Sequence, residues 1–430
     1  MDRAEPRRGP SVLVLASTFP THAQDPVPAF VHDQVVALSE EYPELVIRVV
    51  APHDRRSATQ DRTRHAGFEE IRFHYFWPRS GEVLAGRGIM PALQRNPWLY
   101  VAVPFLFLGE FVTALREARR TRPVVVYAHW FTPQAIVASW VSRLTGIPFV
   151  FTTHASDVDV WHRLPVLGRL VVRSTLRRAA AASAVSSQTL ARLRRFDEDD
   201  TCGVPIHIIP MGTNLPARVH DGTIRERARA RIQAAPDEQV LLFVGRLVEK
   251  KGLPYLLDAL AAVRDDLGTW RLVVVGDGPL LDELVALADA LGLADRVTFA
   301  GYATGEDKEA WYRAADTLVV PSVVASNGDM EGLPVVLLEG LSYGLPCIAT
   351  RQSGADDILQ DGRTGLLVEQ RDAAGLAAAL VRLTAMPPEQ REQLALRGLE
   401  LSHEFSWERL AKRHYEALVA PFITRTDAGL

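Results

Sequence analysis

A chain of 430 residues exceeds what one hydrophobic core ordinarily serves, so two domains of roughly 200 residues each are expected. Its 48 basic and 52 acidic residues give a net charge of -4, so nucleic acid or another polyanion is not an expected partner; 47% hydrophobic and 23% charged residues are globular proportions. Two cysteines, Cys202 and Cys347, cannot build a disulfide framework, and no Cys/His grouping has the spacing of a structural metal site, so a reducing cytosol fits.

Positions 1–10 are polar and Arg-rich and lead straight into Ser11-Val12-Leu13-Val14-Leu15-Ala16 without a cleavage-site pattern, so nothing points to export. Strand-length apolar runs follow at 45–51, 124–127, 149–153, 182–185 and 207–209, alternating with helical patterns. The run 97–109 (PWLYVAVPFLFLG) is interrupted by Pro104 and stops at Glu110, short of the roughly 20 residues of a spanning helix. It is expected not to cross a bilayer, although it is apolar enough to dip into one. Arg116, Arg119, Arg120 and Arg122 close this segment; further on come Arg163, Arg169, Arg173, Arg177 and Arg178, with 169, 173 and 177 on one helical stripe beside Leu170, Val171, Val172 and Leu176. An arginine run is ordinarily a solvated face, but beside an apolar segment it suits an anionic membrane surface, and peripheral contact there is expected.

His129-Trp130 ends the 124–127 run, and His154-Ala155-Ser156-Asp157 ends the 149–153 run, which puts two histidines at the carboxyl ends of neighbouring strands. A buried, satisfied imidazole is an equal reading for His129; His154, with Ser156 and Asp157 as a polar rim, is expected to face a ligand. Asp157-Val158-Asp159 follows a strand, but no other ligand cluster joins it, and Asp197-Glu198-Asp199-Asp200 reads as a solvated loop. No required metal is expected.

Pro216, Gly222 and polar neighbours mark a boundary within 214–225, after which strand-length runs resume at 240–244, 272–275, 297–299, 317–320 and 346–349. Short continuous apolar strands between helices imply an α/β fold with two doubly wound parallel sheets. The expected domains are 1–215 and 216–405, with a ligand in the cleft between them, and 406–430 as a final helix, N-capped by Ser406, that packs back on the first domain.

The run Gln239-Val240-Leu241-Leu242-Phe243-Val244 delivers Gly245-Arg246-Leu247-Val248-Glu249-Lys250-Lys251-Gly252 to the carboxyl edge of a sheet, where open α/β folds bind ligands. Arg246 and Lys251 each offer a phosphate a charge-assisted hydrogen bond worth about 1.5–3 kcal/mol, while Lys250 reads as solvated. In Gly276-Asp277-Gly278-Pro279, Asp277 makes the turn and Gly276 and Gly278 leave room for a nucleoside. Glu331-Gly332-Leu333-Pro334 puts a carboxylate, a flexible joint and a first-turn proline at the start of a helix over 333–345. Amides of Leu333, Val335 and Val336 there suit a phosphate, and Glu339 follows a turn or two along. Cations for phosphates with carboxylates for hydroxyls describe a sugar-nucleotide pocket.

With these motifs the chain resembles the retaining glycosyltransferase family 4, most densely at 245–252, 276–279, 321–344 and 354–367, including Ser353-Gly354-Ala355-Asp356-Asp357-Ile358 and Asp361-Gly362-Arg363-Thr364-Gly365-Leu366-Leu367. Asn327-Gly328-Asp329-Met330-Glu331-Gly332-Leu333-Pro334 is similar to exopolysaccharide (colanic acid type) transferases, and Phe19-Pro20, Phe30-Val31 and Gln34 resemble teichuronic acid type members. The resemblance implies the GT-B architecture of two facing Rossmann-like domains. It also implies transfer of a sugar, with retained configuration, from a nucleotide-diphosphate donor to a saccharide or lipid-linked acceptor in exopolysaccharide or cell-envelope glycan synthesis. No metal or other cofactor is implied, and the location is cytoplasmic, peripheral on the inner face of the cell membrane. Carried over by motif, Arg246 and Lys251 neutralise the leaving diphosphate, Glu331 holds sugar hydroxyls, Glu339 binds the ribose and His154 approaches the sugar. The leaving phosphate helps deprotonate the acceptor. The chain departs from its relatives in lacking glycine over 17–30, in Ala155 after His154 and in Asn214 where Asp is frequent. A sugar nucleotide epimerase and a non-catalytic nucleotide-sugar-binding scaffold fit the same residues.

Overall fold

The computed structural model describes the chain except residues 1–8, 21–28, 56–59, 86–88, 90–91, 94–95, 155–156, 215–221, 236, 352–353 and 428–430. Ala155, Ser156, Pro216, Ser353 and most of the 17–30 loop, singled out above, therefore lie outside the described residues, as does the Arg163 side chain. The chain forms two compact units, one running to Gly212 and resuming at Trp407, the other Thr213–Ser406.

Unit 1 is built on eight strands: β1 (Ser11–Leu15), β2 (Val46–Pro52), β3 (Arg62–Arg64), β4 (Phe68–Phe73), β5 (Val125–His129), β6 (Phe149–Thr153), β7 (Ala181–Ala184) and β8 (Ile206–Ile208). They lie in the order β3-β4-β2-β1-β5-β6-β7-β8, parallel throughout except for the edge strand β3. Leu13, Leu15, Val126, Phe149 and Phe151 are fully buried in its core, as continuous apolar strands covered on both faces require. Two strands were not anticipated from the sequence, β3 and β4. The charges that hide β4 are satisfied in place: Arg72, buried, donates to the Glu70 carboxylate and to the carbonyls of Pro52, Phe19 and Pro20.

The Trp407–Leu418 helix belongs to unit 1 and packs on the Phe30–Glu41 helix. Tyr415 stacks on Tyr42 at 3.6 Å, and Lys412 reaches Glu41 at 3.1 Å. Its inward His414 donates or accepts at the Tyr127 hydroxyl, 3.1 Å away, which also meets Gln34 and Thr152. A second short helix, Ala420–Asp427, follows where one continuous segment was expected.

The apolar run at 97 continues further than expected: a 3-10 segment, Pro97–Ala102, passes directly into the Val103–Thr121 helix, because Glu110 and Glu117 turn inward and do not interrupt it. The 25-residue segment is long and apolar enough to cross a membrane, with a mean hydropathy of 1.7 in its most apolar window. It is nevertheless part of unit 1, since Leu106, Ala114 and Ala118 are core residues. Asp197, read above as solvated, is buried. Burial would raise its carboxyl, but the Cys202 N–H and the Thr201 hydroxyl outweigh that, with Arg173 alongside, and bring it to about 2.

Unit 2 carries six parallel strands, β9 (Gln239–Val244), β10 (Trp270–Val275), β11 (Val297–Gly301), β12 (Thr317–Val320), β13 (Cys347–Thr350) and β14 (Leu366–Val368), in the order β11-β10-β9-β12-β13-β14. Leu241, Phe243, Leu272, Val274, Val319 and Ile348 fill its core. Only β14, three residues long, escaped the sequence reading.

Candidate functional site

From β9 the second sheet grows outward through β10 and β11, whereas β12, β13 and β14 extend the other way. Connections therefore diverge between β9 and β12, and the carboxyl edge there is the switch point at which open α/β sheets leave a crevice. The two loops that open at this point carry the predicted residues. After β9, Arg246 stands exposed, and Glu249–Lys251 form a 3-10 turn ended by Gly252 in the left-handed region (φ 66°). A Cβ on Gly252 would fall 1.8 Å from the Pro321 carbonyl oxygen, so only glycine lets this turn press against the end of β12.

That contact brings Lys251 Nζ to 3.2 Å from Glu331 Oε2. Lys250, expected to be solvated, is drawn in as well: its Nζ lies 3.1 Å from Asp329 Oδ2 and 3.8 Å from Glu331 Oε1. Burial alone would raise the Glu331 carboxyl, but Lys251 and Lys250 outweigh it and hold it below the usual carboxylate range. Burial likewise opposes charge on Lys250, and Glu331 and Asp329 more than offset it. The result is a compact set of opposed charges, two ammoniums around one ionised carboxylate, with the Arg246 guanidinium on the loop that supplies both lysines.

Gly276 and Gly278, read as space for a nucleoside, have a nearer reason to be glycine. A Cβ on Gly276 (φ 149°) would meet the Gly245 oxygen at 1.9 Å, and one on Gly278 would meet the Leu247 oxygen at 2.3 Å. The β10 loop crosses the β9 loop at these two points and fixes the backbone that presents Arg246.

Beyond Glu331 the chain runs through buried Gly332 and Leu333 into the Val335–Ser342 helix, which Val335 opens half-buried. Pro334 occupies the N-cap position rather than the first turn, and no side chain caps this end. The amides at a helix start are thereby left without a side-chain acceptor, the condition under which an anion is favoured. On the same helix, Glu339 is engaged on both oxygens: Lys308 Nζ donates to Oε1 at 2.6 Å and the Tyr312 hydroxyl to Oε2 at 2.6 Å. Neither partner was singled out from the sequence. Their four-residue spacing on the Gly305–Ala314 helix was the available signal, since it sets both on one face.

His154 belongs to unit 1, the other four charged candidates to unit 2. His154 sits among aromatic rings: ring centroids of Trp130 and Phe30 lie 5.0 and 5.2 Å from its own, and His129 Nδ1 is 3.4 Å from His154 Nε2; of the polar rim expected of it, Ser156 lies outside the described residues and Asp157 accepts from the His154 N–H. Asp157 turns its carboxylate to the N–H groups of Phe131 and His154 and to the Thr153 hydroxyl, clasping the β6 loop onto the β5 loop. Asp159 pairs with Arg192. Both histidines are buried, which lowers His129 well below its ordinary value and His154 to about 3, so both imidazoles are neutral. Trp130, next to His129, holds φ 75° and ψ 147°, a conformation that bulky residues rarely adopt.

Among the described residues one group joins histidine and carboxylate donors closely enough to hold a metal ion, His53, His74 and Glu82. Here Glu82 Oε2 takes hydrogen bonds from His53 Nδ1 at 2.6 Å and His74 Nδ1 at 3.0 Å, while Oε1 accepts from the Tyr75 and Phe76 amides. The cluster joins the ends of β2 and β4, on unit 1.

The family pattern described as Glycosyl transferases group 1 matches residues 238–386, and that described as Glycosyltransferase Family 4 matches residues 35–216. The chain is 30% identical over 286 residues to a GDP-mannose-dependent alpha-(1-6)-phosphatidylinositol monomannoside mannosyltransferase of Mycolicibacterium smegmatis, covering 66% of this chain and 73% of that protein. It is 31% identical over 160 residues to the putative colanic acid biosynthesis glycosyltransferase WcaL of Salmonella typhimurium, covering 37% and 39% of the two chains. To the putative teichuronic acid biosynthesis glycosyltransferase TuaC of Bacillus subtilis it is 27% identical over 283 residues, covering 65% and 66%. Among solved structures, sucrose-phosphate synthase from Thermosynechococcus elongatus superposes with a TM-score of 0.73 at 21% identity, covering 98% of this chain and all of that one. HepE of Anabaena in complex with UDP and glucose gives 0.68 at 17% identity, with 98% and 100% covered. These structural likenesses bear on the fold.

Proposed function

The chain belongs to glycosyltransferase family 4 and has the GT-B fold, and on that premise we propose that it moves a hexosyl group, with retained configuration, from a nucleotide-diphosphate donor to a saccharide or lipid-linked acceptor in exopolysaccharide or cell-envelope glycan synthesis. The observation that carries the reading is the meeting of Lys251 with Glu331 at the switch point of the second sheet, beside Arg246. Arg246 and Lys251 take the diphosphate, the uncapped start of the Val335–Ser342 helix adds its amides, and Glu331 turns from Lys251 to the sugar hydroxyls. Glu339 accepts from the ribose, held in place by Lys308 and Tyr312. His154, neutral at the pH of the cytoplasm, contributes a hydrogen bond near the transferred sugar and no charge. Stabilising charge as it develops on the leaving diphosphate is then the main catalytic effect, with that phosphate receiving the acceptor proton. The protein works without a metal, in the cytoplasm, and touches the inner face of the cell membrane.

The mycobacterial relative uses GDP-mannose and HepE binds UDP, so nucleotide sugars of both bases enter the test. A thermal-shift screen of nucleotide sugars against the full chain identifies the donor by its stabilisation, and NMR of the product with an acceptor extract reports its anomeric configuration. EDTA is expected to leave turnover unchanged. Inversion at the anomeric carbon, or conversion of the donor to its epimer without acceptor, would overturn the proposal.

A further inference from the structure

Twelve of the seventeen large hydrophobic side chains exposed among the described residues fall within 98–170, a stretch that is about a sixth of the chain. Ten of them sit on elements packed side by side: the Pro97–Thr121 segment lies on the Ile136–Thr145 helix, and that helix on the Pro165–Leu176 helix. Trp98 is 84% exposed, Val166 77% and Leu170 65%. Trp140 continues the surface from the first element to the second, its ring 6.2 Å from Phe107 and 5.9 Å from Phe111. The Pro165–Leu176 helix already buries Gly168, Val172 and Leu176 inward, so Val166, Leu167 and Leu170 make it apolar on its outer side as well. A helix apolar on both sides is one that a second apolar phase covers.

Charge says which phase. Residues 98–178 hold ten arginines and four acidic residues, in a chain whose net charge is -4. Arg116, Arg119, Arg122, Arg143, Arg169 and Arg177 are exposed. None of the four acids offers a free charge to oppose them: Glu110 is fully buried, Glu117 is buried and pairs with Arg120 and Arg62, Asp157 is clasped by the β5 and β6 loops, and Asp159 pairs with Arg192. A second copy of the chain meeting this face about a two-fold axis would set arginines against arginines. Anionic headgroups above acyl chains complement both the charge and the apolar side chains.

We infer that this face of unit 1 docks on an anionic lipid bilayer, lying on its surface without crossing it. The Pro97–Thr121 segment has the length and hydropathy to span, and only 22% of its most apolar window is buried, but Leu106, Ala114 and Ala118 are built into the core. Leaving as a spanning helix would uncover the sheet. The inference deepens the reading of a lipid-linked acceptor by naming the surface that brings the enzyme to it, and it rests on groups separate from those assigned to the donor.

The test is co-sedimentation of the full chain with phosphatidylcholine vesicles, with and without phosphatidylglycerol, at low and high salt. Binding is expected only with phosphatidylglycerol, and release by salt. Trp98→Ser, Val166→Ser and Leu170→Ser should each weaken it about tenfold, as expected for a large apolar group kept in water, and Arg169→Glu with Arg177→Glu should abolish it. Thermal shift by the donor nucleotide shows that each variant is folded and is expected to be unchanged. Wild-type protein that ignores anionic vesicles, variants that bind as tightly as wild type, or a concentration-dependent dimer that the same substitutions split would each overturn the inference. Vesicle binding without any nucleotide-sugar binding would instead sink the transferase reading and leave this one standing.

Discussion

The pairing of Lys251 with Glu331 makes a prediction that a simple list of binding residues does not. Lys251 Nζ is 3.2 Å from the Glu331 carboxylate, which Lys250 approaches to 3.8 Å, so an arriving diphosphate competes with Glu331 for the same ammonium. At an effective dielectric constant of about 20, opposite charges 3.2 Å apart attract by roughly 5 kcal/mol. Desolvation and the second lysine reduce what a mutation reads out to the range of one charge-assisted hydrogen bond, about 1.5–3 kcal/mol. Lys251→Ala should therefore weaken binding of the bare nucleoside diphosphate by about 10- to 150-fold. Glu331→Gln, which frees the ammonium, should tighten it, while weakening the corresponding nucleotide sugar because the sugar hydroxyls lose their acceptor. Lys250→Ala should matter less, since Asp329 holds part of that charge away from the ligand. Isothermal titration of UDP, GDP and their sugars against the wild type, the three single variants and the Lys251/Glu331 double variant measures every arm, and the double-mutant cycle isolates the coupling. The reasoning fails if Lys251→Ala binds the diphosphate within twofold of wild type. It fails equally if Glu331→Gln loses diphosphate and nucleotide sugar in parallel.

Gly276→Ala places a Cβ 1.9 Å from the Gly245 oxygen, so it should cost about 1–3 kcal/mol of stability by denaturant titration and weaken donor binding with it; an unaffected variant would mean the loops do not cross as described. Glu110, buried with a Gln134 contact at 3.4 Å, has its carboxyl raised by burial to about 8, so the folded state holds a proton that the unfolded chain gives up above the ordinary carboxylate value. Its contribution therefore erodes stability as pH climbs from about 4.5 through 8, and Glu110→Gln should raise the melting temperature more at pH 8 than at pH 5.

Continuous Val/Leu/Ile/Phe runs made most of both sheets legible, because strands covered on two faces have no alternation to disguise them. β4 escaped because Phe68-Glu69-Glu70-Ile71-Arg72-Phe73 looks like a solvated segment until Arg72 is seen to find Glu70 and three carbonyls inside the fold. The site shows the same division. Arg246 and Lys251 were legible because they sit just past an apolar run, at an edge that topology reserves for ligands, and Glu331 because it stands just before the apolar helical segment 333–345. Lys250, Lys308 and Tyr312 were not, since each is defined by a carboxylate distant in sequence: Asp329 for the first, Glu339 for the other two. The glycines at 276 and 278 were noticed, but the loop packing that requires them was not, because the crossing of two loops leaves no trace in either loop alone. His414 lay out of reach for the same cause, entering the Tyr127 network from the far end of the chain.

That network carries a consequence for acid stability. Burial holds His154 and His414 at about 3 and His129 well below its ordinary value, so all three imidazoles are neutral when unit 1 is folded. In the unfolded chain each takes a proton near pH 6.5. Between that value and about 3 the unfolded state binds more protons at these histidines, so their contribution to stability is complete above pH 6.5 and declines as the pH falls, by about 1.36 kcal/mol per pH unit for each histidine. Glu110 and Asp157, buried in the same unit with carboxyls raised to about 8 and about 6, take up protons in the folded state over part of this range and offset one histidine above about pH 6 and two below it, so unit 1 still loses stability on mild acidification, before the carboxylates of unit 2 titrate. Hydrogen exchange followed from pH 7 to 5 should show protection lost first in β5, β6 and the Trp407–Leu418 helix, with β9, β10 and β12 retained. Replacing His414 by Phe removes one titrating group while filling its buried position, and should flatten the pH dependence of unit 1 by about 1.36 kcal/mol per pH unit. An unaltered slope in that variant, or loss of unit 2 first, would show that the buried histidines do not set the acid limit.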